Sequence, residues 1–207
     1  MEEPARHYWN TIGATKEFTH PVDLSWLETI GRDVRVLDYG CGYGRVTALL
    51  ADAGFTAVSG VDVSAALVER GRRQRPGLDL TVMTAPPRVD VPDAGVGLVL
   101  LFAVLTCVPA DPDQRALAAE IRRVLAPGGT VYVSDLLVQS DERNRRRYGP
   151  GGVFTTDDGA VCRHHTADHL RDLFTAAGFR MLAEHRIEVA TMNGHRSDGI
   201  QLLAERV

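Results

Sequence analysis

Three glycines in strict alternation, Gly40, Gly42 and Gly44, follow the apolar segment Val34-Arg35-Val36-Leu37-Asp38. Two carboxylates flank them: Asp38 ends that segment, and Asp62 ends a second one, Ala57-Val58-Ser59-Gly60-Val61-Asp62. Glycines let a backbone turn sharply and approach a ligand closely, and the helix that follows offers it free N–H groups. Such a turn suits a nucleotide-type ligand. The pyrophosphate pattern G-x-G-x-x-G needs glycine or alanine at position 45, where this chain has Arg45, so a dinucleotide fits less well. A carboxylate at the end of a second strand either accepts both hydroxyls of a ribose or caps the next helix.

Three histidines offer proton chemistry. His164 and His165 stand just before Thr166, and His195 lies in the polar stretch Met192 to Ser197. Imidazole titrates near neutral pH, so each is a candidate general base, or else a structural group that hydrogen-bonds across its loop. Their spacing matches no familiar ligand set, and no metal is expected. Cys41, Cys107 and Cys162 contain no CxxC pair. Their odd number argues for a reducing, cytosolic compartment and against a disulfide framework. Cys107 reads as packing rather than as a nucleophile.

The elements that must position these groups alternate. Val34 to Asp38 is a strand, Val46 to Ala51 resumes at helical spacing and Gly54 stops it, and Ala57 to Asp62 is a second strand. Ser64 caps a helix over Ala65 to Arg73, and strands are expected at Leu78 to Met83 and Gly97 to Phe102. A helix from Asp111 or Asp113 to Val124, a Pro127-Gly128-Gly129 turn and a strand from Thr130 to Leu136 complete five β-α repeats. Gln139 to Arg163 reads as a long, partly irregular excursion before a helix from Thr166 to Ala177, capped by Gly178. Strands at Arg180 to Thr191 and Ile200 to Glu205 flank an Asn193-Gly194 hairpin turn.

Taken together, Val36 to Arg45, Gly60-Val61-Asp62-Val63-Ser64 and Ile121 to Gly129 closely resemble the class I S-adenosylmethionine (SAM)-dependent methyltransferases. The resemblance runs from about Val34 to Asp135, and the helix plus two-strand ending extends it to the C-terminus. It implies an α/β fold: a doubly wound, mostly parallel seven-stranded sheet with helices on both faces and a C-terminal antiparallel hairpin strand. A single domain over residues 1–207 is expected, with residues 1–30 as an N-terminal helical lid and 136–165 as a substrate-side insertion.

What the resemblance implies for the site is that Asp38 and the backbone at Gly40, Cys41 and Gly42 hold the methionine end of SAM, with Gly44 and Arg45 completing the turn. Asp62 and Val63 take the ribose. After the third strand many members carry an acidic residue, but this chain has Thr84-Ala85-Pro86-Pro87, so Met83 and Thr84 are assigned to the adenine, with buried core the competing account of Met83. Tyr8 and Trp9 either cover the sulfonium, whose cation an aromatic face attracts, or belong to an amphipathic helix packed on the sheet. Where many members have histidines after a leucine, this chain has Leu105-Thr106-Cys107.

The implied activity is in-line transfer of the SAM methyl group to a hydroxyl, amine or thiol of a small molecule, leaving S-adenosylhomocysteine, by a monomer or homodimer. The alternatives are a SAM-binding protein without methyl transfer, serving as a cyclase, regulator or partner subunit, and an RNA or protein methyltransferase that needs a partner. A formal net charge of −4 argues against nucleic acid. Arg143, Arg145, Arg146 and Arg147 read as a solvated helical face rather than a phosphate site. The N-terminus has no signal-peptide pattern, and the apolar run from Val96 to Cys107 is too short to span a bilayer, so no membrane partner is expected.

Overall fold

In the strands β1 (Arg35–Tyr39), β4 (Val96–Phe102) and β5 (Leu125–Leu136), successive residues point to opposite faces of the sheet, and both faces are apolar. Val36, Leu98, Leu100 and Tyr132 join Val46 and Leu50 in one buried layer. Leu37, Val99, Leu101 and Val133 join Leu117, Ile121 and Phe174 in the other. A strand with two buried faces needs helices on each side, which fixes a three-layer α/β architecture. The computed structural model describes residues 3–192 and 194–207.

The order of elements is α1 (Glu3–Asn10), β1, α2 (Arg45–Asp52), β2 (Ala57–Asp62), α3 (Ala65–Gln74), β3 (Asp79–Val82), β4, α4 (Asp111–Val124) and β5. There follow α5 (Glu142–Arg147), a small hairpin of β6 (Val153–Thr155) and β7 (Val161–Arg163), α6 (Ala167–Ala176), β8 (Phe179–Ala190) and β9 (Arg196–Arg206). Seven strands form one sheet in the order β3-β2-β1-β4-β5-β9-β8. β1 to β5 pair in parallel, and β9 runs antiparallel to both of its neighbours. This is the expected doubly wound sheet with its antiparallel ending. The order reverses between β1 and β4, and there the carboxyl ends of the strands open a crevice.

Local signals set most boundaries. Ser64 Oγ accepts from Leu67 N at 3.1 Å, and Thr166 Oγ1 accepts from His169 N at 3.1 Å, so both expected caps are in place. Three stretches differ from expectation. β5 begins at Leu125 rather than Thr130, because Val96 pairs with Leu125 before residues 126–129 bulge out and Leu98 picks up Thr130. β9 begins at Arg196 rather than Ile200, since its polar start is held by pairing with β8 and by an Arg196–Glu188 ion pair. The 139–163 excursion is more ordered than its composition suggests: Asp141 caps α5 through Asn144 N at 3.0 Å, and Val153↔Arg163 opens the hairpin. The expected Asn193-Gly194 turn falls partly outside the described residues, since Asn193 is not among them. No helix among the described residues is long and apolar enough to cross a membrane.

Gly71, inside α3, shows how tightly the second crossover is packed against the glycine turn. A Cβ there would lie 2.5 Å from the Tyr43 carbonyl oxygen and 2.6 Å from Leu80 Cδ1. Alanine favours a helix over glycine by about 1 kcal/mol, but overpacking against backbone costs about 1–3 kcal/mol. Gly71→Ala is therefore expected to lower stability despite its better helix propensity. Urea denaturation reads this as a lower midpoint at unchanged slope, and a raised midpoint would refute it.

Candidate functional site

β1 ends on Asp38-Tyr39, and the chain then reverses through Gly40, Gly42 and Gly44, whose φ angles are 74°, 57° and 79°. These lie in the left-handed region that glycine enters without cost. Gly40 N and Cys41 N both donate to Val61 O, at 2.8 and 3.0 Å, so the turn is tied to β2. A Cβ on Gly42 would lie 2.0 Å from the Phe18 ring, which packs against the turn from the N-terminal segment.

Two buried carboxylates brace the turn. Asp38 Oδ2 accepts from Thr47 N at 2.9 Å and Thr47 Oγ1 at 2.7 Å, fixing the first turn of α2. Asp62 accepts from Gly42 N through Oδ2 and from Ser64 N through Oδ1, both at 2.8 Å. Burial pushes the Asp38 carboxyl up to about 6, against the opposing pull of its Thr47 hydrogen bonds. Burial also raises Asp62, opposed by the Ser64 and Gly42 N–H groups.

A cavity of about 470 Å³ opens on these groups at the carboxyl ends of β1, β2 and β4. Its inner wall carries Asp38, Gly40, Cys41, Arg45, Asp62 and Val63, with Met83 beyond them. Four residues singled out in the sequence do not line it. Gly42 and Gly44, within the turn, pack against Phe18 and against Leu78 and Leu80, Thr84 is exposed, and His165 is buried elsewhere. β3 ends at Val82, and the chain bends at Thr84, so Met83 is buried on the cavity wall while Thr84 is exposed. The Cys41 thiol is buried beside Gly60, and burial raises it well above its ordinary range, which leaves it inert.

The N-terminal segment roofs one end. Tyr8 and Trp9 line the cavity edge to face, 5.1 Å apart. Ser64 Oγ donates to Trp9 O at 2.9 Å, and Asn10 Oδ1 accepts from Ala66 N at 3.1 Å, so α1 is anchored on the start of α3. Tyr8 Oη donates to Asp158 Oδ2 at 3.1 Å, and Lys16 Nζ reaches the same carboxylate at 2.6 Å. Asp158 belongs to the β6–β7 connection. Hydrogen bonds from Lys16 and Thr156 hold its carboxyl down to about 2.

The other end is walled by the 139–163 segment. His164, 4% exposed, bonds through Nδ1 to the Tyr148 hydroxyl at 2.6 Å, and its ring sits 4.7 Å from that of Phe154. Burial, then the nearby Arg147 cation, lowers His164 to about 4, so it is neutral at pH 7. His165, the next residue along an extended backbone, faces the opposite way and stacks on His169, 5.4 Å between ring centres. Burial lowers it to about 3. His195 is exposed on the cavity rim, where its backbone N–H donates to Thr191 Oγ1. Among the described residues no three His, Cys, Asp or Glu side chains converge to hold a metal ion. Tyr148 and Phe154 are not singled out by the sequence, and Arg147, read there as part of a solvated helical face, lines the cavity from a helix that Asp141 caps through Asn144.

His20, also on the cavity wall, is buried with Nδ1 3.0 Å from Ser134 Oγ, and burial lowers it to about 4. With the folded value below the unfolded value of about 6.5, its contribution to stability is complete above about pH 6.5 and is lost as the pH falls toward 4. Asp38, with its raised value, acts in the opposite direction, so the test is a difference. Relative to wild type, His20→Gln is expected to lose about 2 kcal/mol less stability between pH 7 and pH 5. Urea unfolding at the two pH values measures this, and parallel losses would count against it.

A family profile described as a methyltransferase domain matches residues 15–184. The chain is 33% identical over 159 residues to a trans-aconitate 2-methyltransferase of Streptomyces coelicolor, covering 70% of this chain and 50% of that protein. A SAM-dependent methyltransferase structure from Methanosarcina mazei superposes with a TM-score of 0.81 at 22% identity, over 90% of this chain and 98% of the other. The Burkholderia thailandensis 1,6-didemethyltoxoflavin-N1-methyltransferase, solved with 1,6-didemethyltoxoflavin and S-adenosylhomocysteine bound, gives 0.72 at 22% identity, over 98% and 84%. At these identities the structural likeness speaks for the fold. The chain spans 54%, 37% and 50% of the length of three of the curated relatives it matches.

Proposed function

Because this chain belongs to the methyltransferase-domain family, we propose that its cavity holds S-adenosylmethionine and that it transfers the sulfonium methyl group to a small molecule. The observation that carries the reading is Asp62. It is buried at the cavity wall, and each carboxylate oxygen accepts one backbone N–H, which leaves each with lone-pair capacity for a ribose hydroxyl. The cavity, about 470 Å³, is of the size that encloses a cofactor, and the turn beside it carries no Cβ at Gly40.

On this reading Asp62 and Val63 hold the ribose, and Met83 supplies an apolar wall to the adenine. The backbone at Gly40 and Cys41, with the Asp38 carboxylate, receives the amino-acid end. Tyr8 and Trp9 cover the sulfonium with aromatic faces. When bound, SAM would supply an electrophilic methyl carbon that an acceptor lone pair attacks in line, the C–S bond breaking with its electrons left on the sulfur of S-adenosylhomocysteine. The protein's part is orientation and exclusion of water, through the 1–30 segment as a lid and the 136–165 segment as the acceptor-side insertion. Neutral His164, on the wall opposite the glycine turn, is a weak base at about 4, so it orients the acceptor rather than removing its proton. The trans-aconitate and didemethyltoxoflavin relatives are named for small acceptors, which favours that class here.

Calorimetric titration with S-adenosylhomocysteine is expected to show one site per chain, weakened at least about tenfold in Asp62→Asn. No binding to the wild type would overturn the proposal. The pH dependence follows from Asp38. With its carboxyl raised to about 6, it is protonated below that pH and cannot attract the ligand's ammonium group. Affinity is therefore expected to rise from pH 5 to pH 7 and then level off, and Asp38→Asn to flatten the curve; a wild-type curve already flat would remove Asp38 from the amino-acid subsite.

A further inference from the structure

Of the four arginines in the 143–147 cluster, Arg143 and Arg147 line the cavity, while Arg145 and Arg146 do not. Residues four apart share one face of a helix, so α5 divides the cluster between cavity and solvent. Arg146 is ion-paired with Glu142, and Arg143 lies 3.9 Å from Asp157. Arg147 alone of the two inward arginines has no carboxylate within salt-bridge distance among the described residues. Its guanidinium carbon stands 4.0 Å from the centre of the Phe154 ring, and its Nε is buried with no hydrogen-bond partner. A buried cationic N–H without an acceptor is costly unless a ligand supplies one.

We propose that Arg147 reads an anion at the acceptor end of the cavity and that the methyl acceptor carries a carboxylate. The guanidinium carbon is held over the Phe154 ring, and the Nε edge, whose N–H has no partner, carries the parallel N–H pair that a planar carboxylate accepts in bidentate fashion. The nearby acids are already committed: Asp158 to Lys16 and Tyr8, Asp141 to the start of α5. Adjacent His164 is held through Nδ1 by Tyr148, so its ring adds a polar contact without a competing positive charge. The identification of an acceptor end rests on the methyltransferase reading above; the anion site itself rests on Arg147.

The test follows the Arg147 Nε–Hε signal by nitrogen-15 NMR, assigned through Arg147→Lys, in protein loaded with S-adenosylhomocysteine. Benzoate and trans-aconitate are expected to shift that signal and bind at least about tenfold more tightly than the uncharged benzamide. Arg147→Gln should abolish the preference, Arg147→Lys, which keeps the charge and loses the fork, should reduce it, and Arg146→Gln should retain it. If Arg147→Gln does not fold, the Lys variant decides. The proposal is overturned if charged and uncharged probes bind alike, if no carboxylate binds, if the preference survives loss of Arg147, or if inorganic phosphate binds more tightly than the carboxylates. A failure of S-adenosylhomocysteine to bind would instead count against the cofactor reading, and the same titration on ligand-free protein would still decide the role of Arg147.

Discussion

The two hydrogen bonds of Asp62 hold the site together. One carboxylate oxygen takes Gly42 N from the first crossover and the other takes Ser64 N from the second, so a single buried side chain joins the glycine turn to the start of α3. The roof depends on the same joint, because Ser64 Oγ and the α3 amide of Ala66 anchor Trp9 and Asn10. Charge-assisted hydrogen bonds to backbone N–H groups offset the cost of burying the carboxylate. The clamp therefore braces the fold where the cavity opens, and on the proposed reading the same carboxylate meets the ribose.

Asp38 plays the corresponding part for α2, and the two carboxylates make the inner wall acidic, while on the outer wall Arg147 lies over the Phe154 ring beside Asp141, Asp157 and Asp158. The histidines complete this division by staying uncharged. His20 and His164 are buried deeply enough that neutral imidazole is their resting form at pH 7, which leaves arginine as the carrier of positive charge on the cavity wall.

What the sequence revealed was local in origin. The glycine turn, the Asp62 carboxylate and the Ser64 and Thr166 caps each follow from a few adjacent residues, and each stands where its pattern put it. The cavity wall built by the 139–163 segment was hidden because β6 and β7 are three residues long, too short for alternation to show against Gly149, Gly151, Gly152 and Gly159. Of two adjacent pairs only one member lines the cavity, Met83 and not Thr84, His164 and not His165, and which of two neighbours faces inward is decided by the local backbone rather than by residue type. The Arg143 to Arg147 cluster looked like a solvated face, and half of it is; charge counting alone cannot separate the two arginines that turn inward.

Tyr8 and Lys16 come from one end of the chain and Asp158 from a connection about 140 residues later, yet they meet on one carboxylate over the cavity. The part of the roof next to Asp62 and the part next to His164 are thereby fastened at a single latch. On the proposed reading, an opening that frees the space beneath one part also loosens the cover over the other, which ties entry and exit of cofactor and acceptor to one contact.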